Sequence, residues 1–234
     1  LVHVPKHIRS PRFSGPIIGV HKDHITGLYL LTKKGTVFSR QEVVQMLRNV
    51  GYEGEIPQKE RFSGKEVFSL FLPKDLSMEF KAAVCVGCKQ CKKEKCEYDA
   101  YVKIKNGKLL CGVIDKKALA AEKGKLLDII EDRYGTAFTS DFLNKISRLS
   151  LEVLTRFGAS VSISDYDLPA EAMKKIRKIL DETKVRVNKL IEDYRKGKIE
   201  ILAGRTMKES LETLIRAELS NALNRIADAV AEHI

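Results

Sequence analysis

Tyr101-Val102-Lys103-Ile104-Lys105-Asn106-Gly107-Lys108-Leu109-Leu110-Cys111-Gly112-Val113-Ile114 reads as a β-hairpin. Two apolar runs flank Asn106-Gly107, and an Asn-Gly pair suits a two-residue turn because both of its residues take positive φ. The long segments farther along the chain carry helical periodicity, so this one hairpin makes the class α+β rather than all-helical. Cys111, on the second strand, reads as a small core residue and not as a ligand.

Just upstream, four cysteines fall within twelve residues as Cys85-x2-Cys88-x2-Cys91-x4-Cys96. Core packing does not need four thiols so close together, whereas a metal deprotonates them and closes the loop around itself. Lys81, Lys89, Lys92, Lys93 and Lys95 surround them, and neighbouring cations favour the thiolate. Tetrahedral zinc held by Cys85, Cys88, Cys91 and Cys96 is the first reading. A [4Fe–4S] cluster is the rival, although x4 replaces the usual x3 before the fourth cysteine and no proline follows it. A pair of disulfides would be strained at these spacings, and the sequence shows no secretory leader.

Farther upstream, the first thirty-odd residues are rich in turn formers, with Ile17-Ile18 and the run 28–31 between them expected as short strands or buried extended pieces. Ser39 and Glu42 form a capping box for a helix to about residue 49, stopped by Gly51. After a loop containing Pro57, Ser63 caps a short helix through Val67, Phe68, Leu70 and Phe71 that ends at Pro73. His21-x2-His24 has metal-ligand spacing, but histidines in such a setting are more often surface or core.

Downstream, 125–133 and 141–157 each show apolar residues at i, i+3 and i+4. The longest element is expected to start at Asp167 as cap, with Pro169 in its first turn, and to end at Gly197. Met173, Ile176, Leu180, Thr183, Val187, Leu190 and Tyr194 recur in steps of three and four, a heptad seam with one polar member. Thr206 and Glu209 form another capping box, for a helix with Leu211, Ile215, Ala222, Ile226 and Ala229 on one face. Two long helices joined by a short loop imply an antiparallel hairpin. The expected organisation is a mixed α/β domain over 1–155, with the metal loop 85–96 and the hairpin 101–114, followed by a helical hairpin over 156–234.

Lys and Arg number 42 against 31 Asp and Glu, a formal charge of +11 that biases the surface toward polyanions. The excess is spread along the chain, with no block of five or six consecutive basic residues, although 171–198 holds ten basic residues against five acidic. A solvated helix face explains such charge as readily as an acidic partner or a nucleic-acid backbone does. No apolar run approaches eighteen residues, so no membrane span is expected. No phosphate loop, paired carboxylates or nucleophile with a histidine partner appears, so the chain alone offers no catalytic constellation. Leu1 in place of an initiator Met, and a helical pattern still running at Ile234, lead to the expectation of a piece of a longer chain.

Taken in order, four segments resemble the pore and funnel regions of the largest subunit of multisubunit DNA-directed RNA polymerase in its archaeal A-prime form. They are Val4-Pro5-Lys6-His7-Ile8-Arg9-Ser10-Pro11-Arg12-Phe13 with Gly15-Pro16-Ile17-Ile18-Gly19; Phe62-Ser63-Gly64-Lys65-Glu66-Val67-Phe68-Ser69; Ile104-Lys105-Asn106-Gly107-Lys108-Leu109-Leu110 with Gly112-Val113-Ile114-Asp115-Lys116-Lys117; and Gly204-Arg205-Thr206-Met207-Lys208-Glu209-Ser210-Leu211-Glu212. Ser14, Val20 and Ser162 stand where the family's pattern has glycine, and its late Ala-Arg-Asp signature is replaced around Asn224. The four-cysteine loop rests on its spacing and not on this resemblance.

The resemblance implies a pore-like domain and a funnel-like hairpin that line the secondary channel for nucleoside triphosphates and backtracked RNA. It implies docking of transcript-cleavage factors, with Lys184, Arg186, Arg205 and Lys208 as candidate channel- or partner-facing residues. Other polymerase subunits and nucleic acid would be its partners in the assembled, cytoplasmic enzyme. The Asp-rich loop that holds Mg²⁺ would belong to the complete polymerase, leaving this segment non-catalytic. The alternative is a stand-alone zinc-stapled module that binds nucleic acid or protein.

Overall fold

The computed structural model describes residues 3–85, 93–122, 124–160 and 162–231. The chain forms two compact units, Leu1–Ala159 and Ser160–Ile234. The division falls about one helical turn later than the expected 155/156, because the helix before it runs on to Phe157.

The first unit is a mixed α+β body. Its elements are α1 (Asp23–Thr32), β1 (Val37–Ser39), α2 (Arg40–Val50), β2 (Arg61–Ser63), α3 (Gly64–Ser69), β3 (Met78–Lys81), β4 (Tyr101–Lys105), β5 (Lys108–Cys111), α4 (Lys116–Leu119) and α5 (Lys125–Phe157). One continuous core joins them, including Leu28, Leu31, Met46, Phe62, Phe68, Ile104, Ile114, Leu126 and Leu149. The run 28–31 is helical, not extended as its apolar content suggested. Leu28, Leu31 and Thr32 are buried together at helical spacing on α1. Gly27 lets that helix approach α5: a Cβ there would lie 2.4 Å from the Ser150 carbonyl oxygen. The two helical runs expected after residue 124 are one element, broken where Gly135 takes φ 77° and ψ 173°.

Two short β–α pieces repeat a local pattern, Phe38-Ser39-x2-Glu42-Val43 and Phe62-Ser63-x2-Glu66-Val67. In each, the serine ends a strand and caps the following helix through a complete capping box. The strands pair antiparallel with Phe38 opposite Phe62, both buried. The sequence reading found both helices but neither strand, since three-residue strands are too short to show alternation.

The second sheet has the order β3-β4-β5, all antiparallel. Asn106 and Gly107 both have positive φ, 48° and 68°, in the β4–β5 turn. Phe80, Val102, Ile104 and Leu109 point into the core, while Glu79, Lys81, Lys105 and Leu110 are exposed. The Ile114 backbone N–H, buried just past β5, donates to Thr32 Oγ1 at 2.8 Å and fastens this sheet to α1.

The second unit pairs α6 (Ala170–Arg195) with α7 (Met207–Ala231). Arg186 meets Glu218 and Arg225 meets Glu182, so the helices run antiparallel. Asp167 does not cap α6. It closes the preceding 3-10 turn Ile163–Tyr166, and Pro169 stands at the helix start without a side-chain cap. Thr206 and Glu209 bond reciprocally at the start of α7, as a capping box requires. The seam differs in its first half: Met173 and Leu180 are 39% and 43% exposed, while Ala172 and Ile179 are buried. Ile179 packs with Ala222 and Ala229, with Ile226 partly buried beside them, and the two small alanines let α7 come close to that edge of α6.

Candidate metal loop and charged helix pair

The cysteine loop is the connection between β3 and β4. The Ala82 N–H donates to the Ala100 carbonyl at 2.8 Å, which closes the neck from which 83–99 emerge. Cys85 lies three residues inside that neck on one side and Cys96 four residues inside it on the other. Each sits in a hydrogen-bonded turn, Cys85 N–H to Ala82 at 3.3 Å and Cys96 N–H to Lys93 at 3.0 Å. Cys88 and Cys91 lie outside the described residues. Cys85, Cys96 and Cys111 are not bridged by disulfides. The described residues alone bring together no set of three metal ligands.

Two carboxylates hold the neck. Asp115, 6% exposed, accepts from the Ala83 and Val84 N–H groups with one oxygen and from the Lys117 N–H at 2.9 Å with the other. It therefore caps α4 and grips the entry to the loop together. At the exit, Asp99 takes φ 50° and accepts from the Gly112 N–H at 2.7 Å while pairing with the Lys65 ammonium. The Asp99 N–H itself donates to the Cys96 carbonyl at 3.1 Å. Sequence reasoning missed both residues. The only local signal was an Asp placed to cap the short run Lys116–Leu119.

The 3-10 turn Lys93–Lys95 lies against β4, where the Lys103 ammonium pairs with Glu94 and, at 3.4 Å, with Glu79. Cys111 stands opposite Lys103 on β5. Burial pushes its thiol pKa up, and the carboxylates of Glu94 and Asp99 push it the same way. Cys111 is half-buried and stands outside the core cluster, so it is not the small core residue that the sequence suggested. The His24 ring nitrogen lies 3.2 Å from the Ser147 carbonyl, so this histidine ties α1 to α5.

On the helix pair, the four candidate residues divide. Lys184 is exposed, 3.9 Å from Asp181, and Lys208 is exposed in the first turn of α7. Arg186 lies between Glu182 at 3.5 Å and Glu218 at 3.4 Å, and Arg205 donates to Thr213 Oγ1. The Glu182 carboxyl is held below its usual range, chiefly by its hydrogen bond from Arg225. Arg186 and Arg225 thus serve the helix–helix contact, leaving Lys184 and Lys208 as the more available cations.

A family model described as RNA polymerase Rpb1, domain 3, matches residues 7–166, the first unit together with the entry to the second. The chain belongs to this family. Along nearly its whole length it is also similar to proteins named DNA-directed RNA polymerase subunit Rpo1N. The relative from Methanothermobacter thermautotrophicus strain Delta H is 43% identical over 225 residues, covering 96% of this chain and 26% of that protein. The Methanocaldococcus jannaschii relative is 42% identical over 239 residues, covering 99% and 18%. The Thermococcus celer relative is 41% identical over 256 residues, covering 99% and 28%. The chain thus spans between 18% and 28% of the length of these three relatives.

Proposed function

We propose that this chain is the pore and funnel segment of an archaeal RNA polymerase largest subunit, working in DNA-templated RNA synthesis as a non-catalytic wall of the secondary channel. The observation that carries this reading is similarity above 40% that runs through both units to polymerase subunits. In this reading the first unit is pore-like and the helix pair funnel-like. The partners are the other polymerase subunits, and the location is the cytoplasm.

Nucleoside triphosphates and backtracked RNA are polyanions, and a basic wall raises their local concentration. The basic excess of α6, ten residues against five over 171–198, supports such a wall. The exposed Lys184 and Lys208 offer the charge that a transcript-cleavage factor would meet. The sulfurs of Cys85, Cys88, Cys91 and Cys96 would hold zinc as a structural clip. The donor set suits it: four thiols on one hairpin connection whose neck is already closed. Zinc would supply loop order here and no chemistry on substrate. Mg²⁺ for phosphoryl transfer would be held elsewhere in the complete enzyme.

The test is polymerase reconstituted with Lys184→Glu and Lys208→Glu in this segment. Subunit assembly and RNA extension on an undamaged template should persist, while cleavage-factor affinity at low salt should fall at least tenfold. Unchanged affinity would remove the docking role. Failure of the segment to assemble with the other subunits would remove the polymerase reading altogether.

A further inference from the structure

Of the six asparagines in the chain, Asn106 is the one followed by glycine. The other five, Asn49, Asn144, Asn188, Asn221 and Asn224, all lie within α-helices, whereas Asn106 stands exposed at the tip of the β4–β5 hairpin. An asparagine before glycine is open to attack on its own side-chain amide, because glycine has no side chain to keep its backbone nitrogen away. The fold leaves little choice of residue here. Gly107 has φ 68°, and a Cβ on it would lie 2.5 Å from the Pro73 carbonyl oxygen. Asn106 has φ 48°, a left-handed conformation that asparagine adopts more readily than most residues. The turn therefore demands the pair of residues most prone to this reaction.

Two hydrogen bonds engage the backbone nitrogens of that pair. The Gly107 N–H donates to the Leu76 carbonyl at 2.8 Å, and Leu76 is fully buried. The Asn106 N–H donates to Ser77 Oγ at 3.0 Å. Gly107 is itself buried, and its nitrogen is both the attacking atom and an anchored donor. To attack, it must break that bond and swing toward Asn106 Cγ, so the reaction waits on local opening of the tip.

We infer that Asn106 is a site of spontaneous covalent modification, succinimide formation followed by hydrolysis, which the anchored hairpin holds shut until it opens. In the reaction the Gly107 nitrogen bonds to Asn106 Cγ, the Cγ–NH2 bond breaks, and the proton from the Gly107 nitrogen leaves with the ammonia. Water then opens either carbonyl of the ring to give aspartate or isoaspartate, with no oxidant, reductant or further reactant. Isoaspartate adds a backbone methylene to a two-residue turn, so the pairing of Lys105 with Lys108 cannot re-form in register. The inference does not depend on the polymerase reading, since it concerns one turn of the first unit.

The experiment incubates the full 234-residue chain in mildly alkaline buffer, folded and in denaturing urea, and follows each asparagine by peptide mass spectrometry. In urea Asn106 should convert fastest of the six. In the folded chain it should convert at least about twenty-five-fold more slowly than in urea, the two hydrogen bonds contributing about fivefold each. Ser77→Ala removes an exposed acceptor and should speed folded conversion by about two- to fivefold. Hydrogen exchange at the Gly107 amide passes through the same opening. Across the parent, Ser77→Ala and sub-denaturing urea, conversion and exchange should therefore rise together. Equal rates in the folded and unfolded chain would overturn the inference, as would an Asn106 no more reactive in urea than the other five. Conversion that stays constant while Gly107 exchange quickens would overturn it too, because the anchor would then not be what holds the site.

Discussion

Asp115→Ala should loosen the cysteine loop and destabilise the first unit together. The carboxylate is 6% exposed and accepts from three backbone N–H groups, those of Ala83, Val84 and Lys117. Loss of the Lys117 contact removes a helix N-cap, about 1 kcal/mol. The Ala83 and Val84 donors lose a charged acceptor, worth roughly 1.5–3 kcal/mol where water cannot replace it. Both residues are half-buried, so part of that loss is recovered by solvent. The total expected is about 2–4 kcal/mol, which for a unit of this size lowers Tm by roughly 5–15 °C.

Asp115→Asn should fall between parent and Ala, because its NH2 would face a backbone donor on one side of the fork. The readouts are a thermal melt by circular dichroism and zinc content by mass spectrometry, one ion per parent chain being expected. Chelator competition should show about tenfold weaker zinc in Asp115→Ala, since the neck that positions Cys85 is released. A melt within 2 °C of the parent, or unchanged zinc affinity in a destabilised variant, would refute the claim that one carboxylate serves both the fold and the loop. A brown protein with a broad visible band would replace zinc by the iron–sulfur reading.

The Glu66 carboxyl lies below its ordinary range, first through its bond to Lys59 and then through the Ser63 backbone N–H. A depressed folded-state pKa gives stability that is complete above the unfolded value, near 4.3, and is lost as pH falls through the folded value. Parent and Glu66→Gln should therefore differ in urea midpoint at pH 7 and converge as the pH falls through the depressed folded-state value; a constant gap would count against the linkage. On the helix pair, Ile179→Ala should cost about 2 kcal/mol and Leu180→Ala less than about 0.5, with helicity followed by circular dichroism. The reverse order would restore the heptad seam through Leu180.

Elements defined by local chemistry were legible before the structure. Capping boxes at Ser39, Ser63 and Thr206 join residues three apart, and the Asn106-Gly107 turn is specified by its own two φ values. The helices they begin were read close to their ends, and the mixed α+β class followed. The family was legible too, because four separated segments kept their order along the chain. Cys85 and Cys96 were visible in the sequence only as a spacing, and the structure places both near the neck of the β3–β4 connection.

What required the tertiary structure depends on partners far away along the chain. The run at Leu28–Leu31 is apolar enough for a strand, and only the approach of α5 to Gly27, with Ser150 in contact, makes it a helix. The paired strands at Phe38 and Phe62 are three residues each and exist through their mutual ladder. The seam of α6 passes through Ile179 because Ala222 and Ala229 let the second helix come close there. Asp115 and Asp99 read as ordinary solvated acids until the fold brings Ala83, Gly112 and Lys65 to them. Caps, turns and spacing are written over a few residues, whereas burial, helix approach and carboxylate partners are set by which surfaces the finished core brings together.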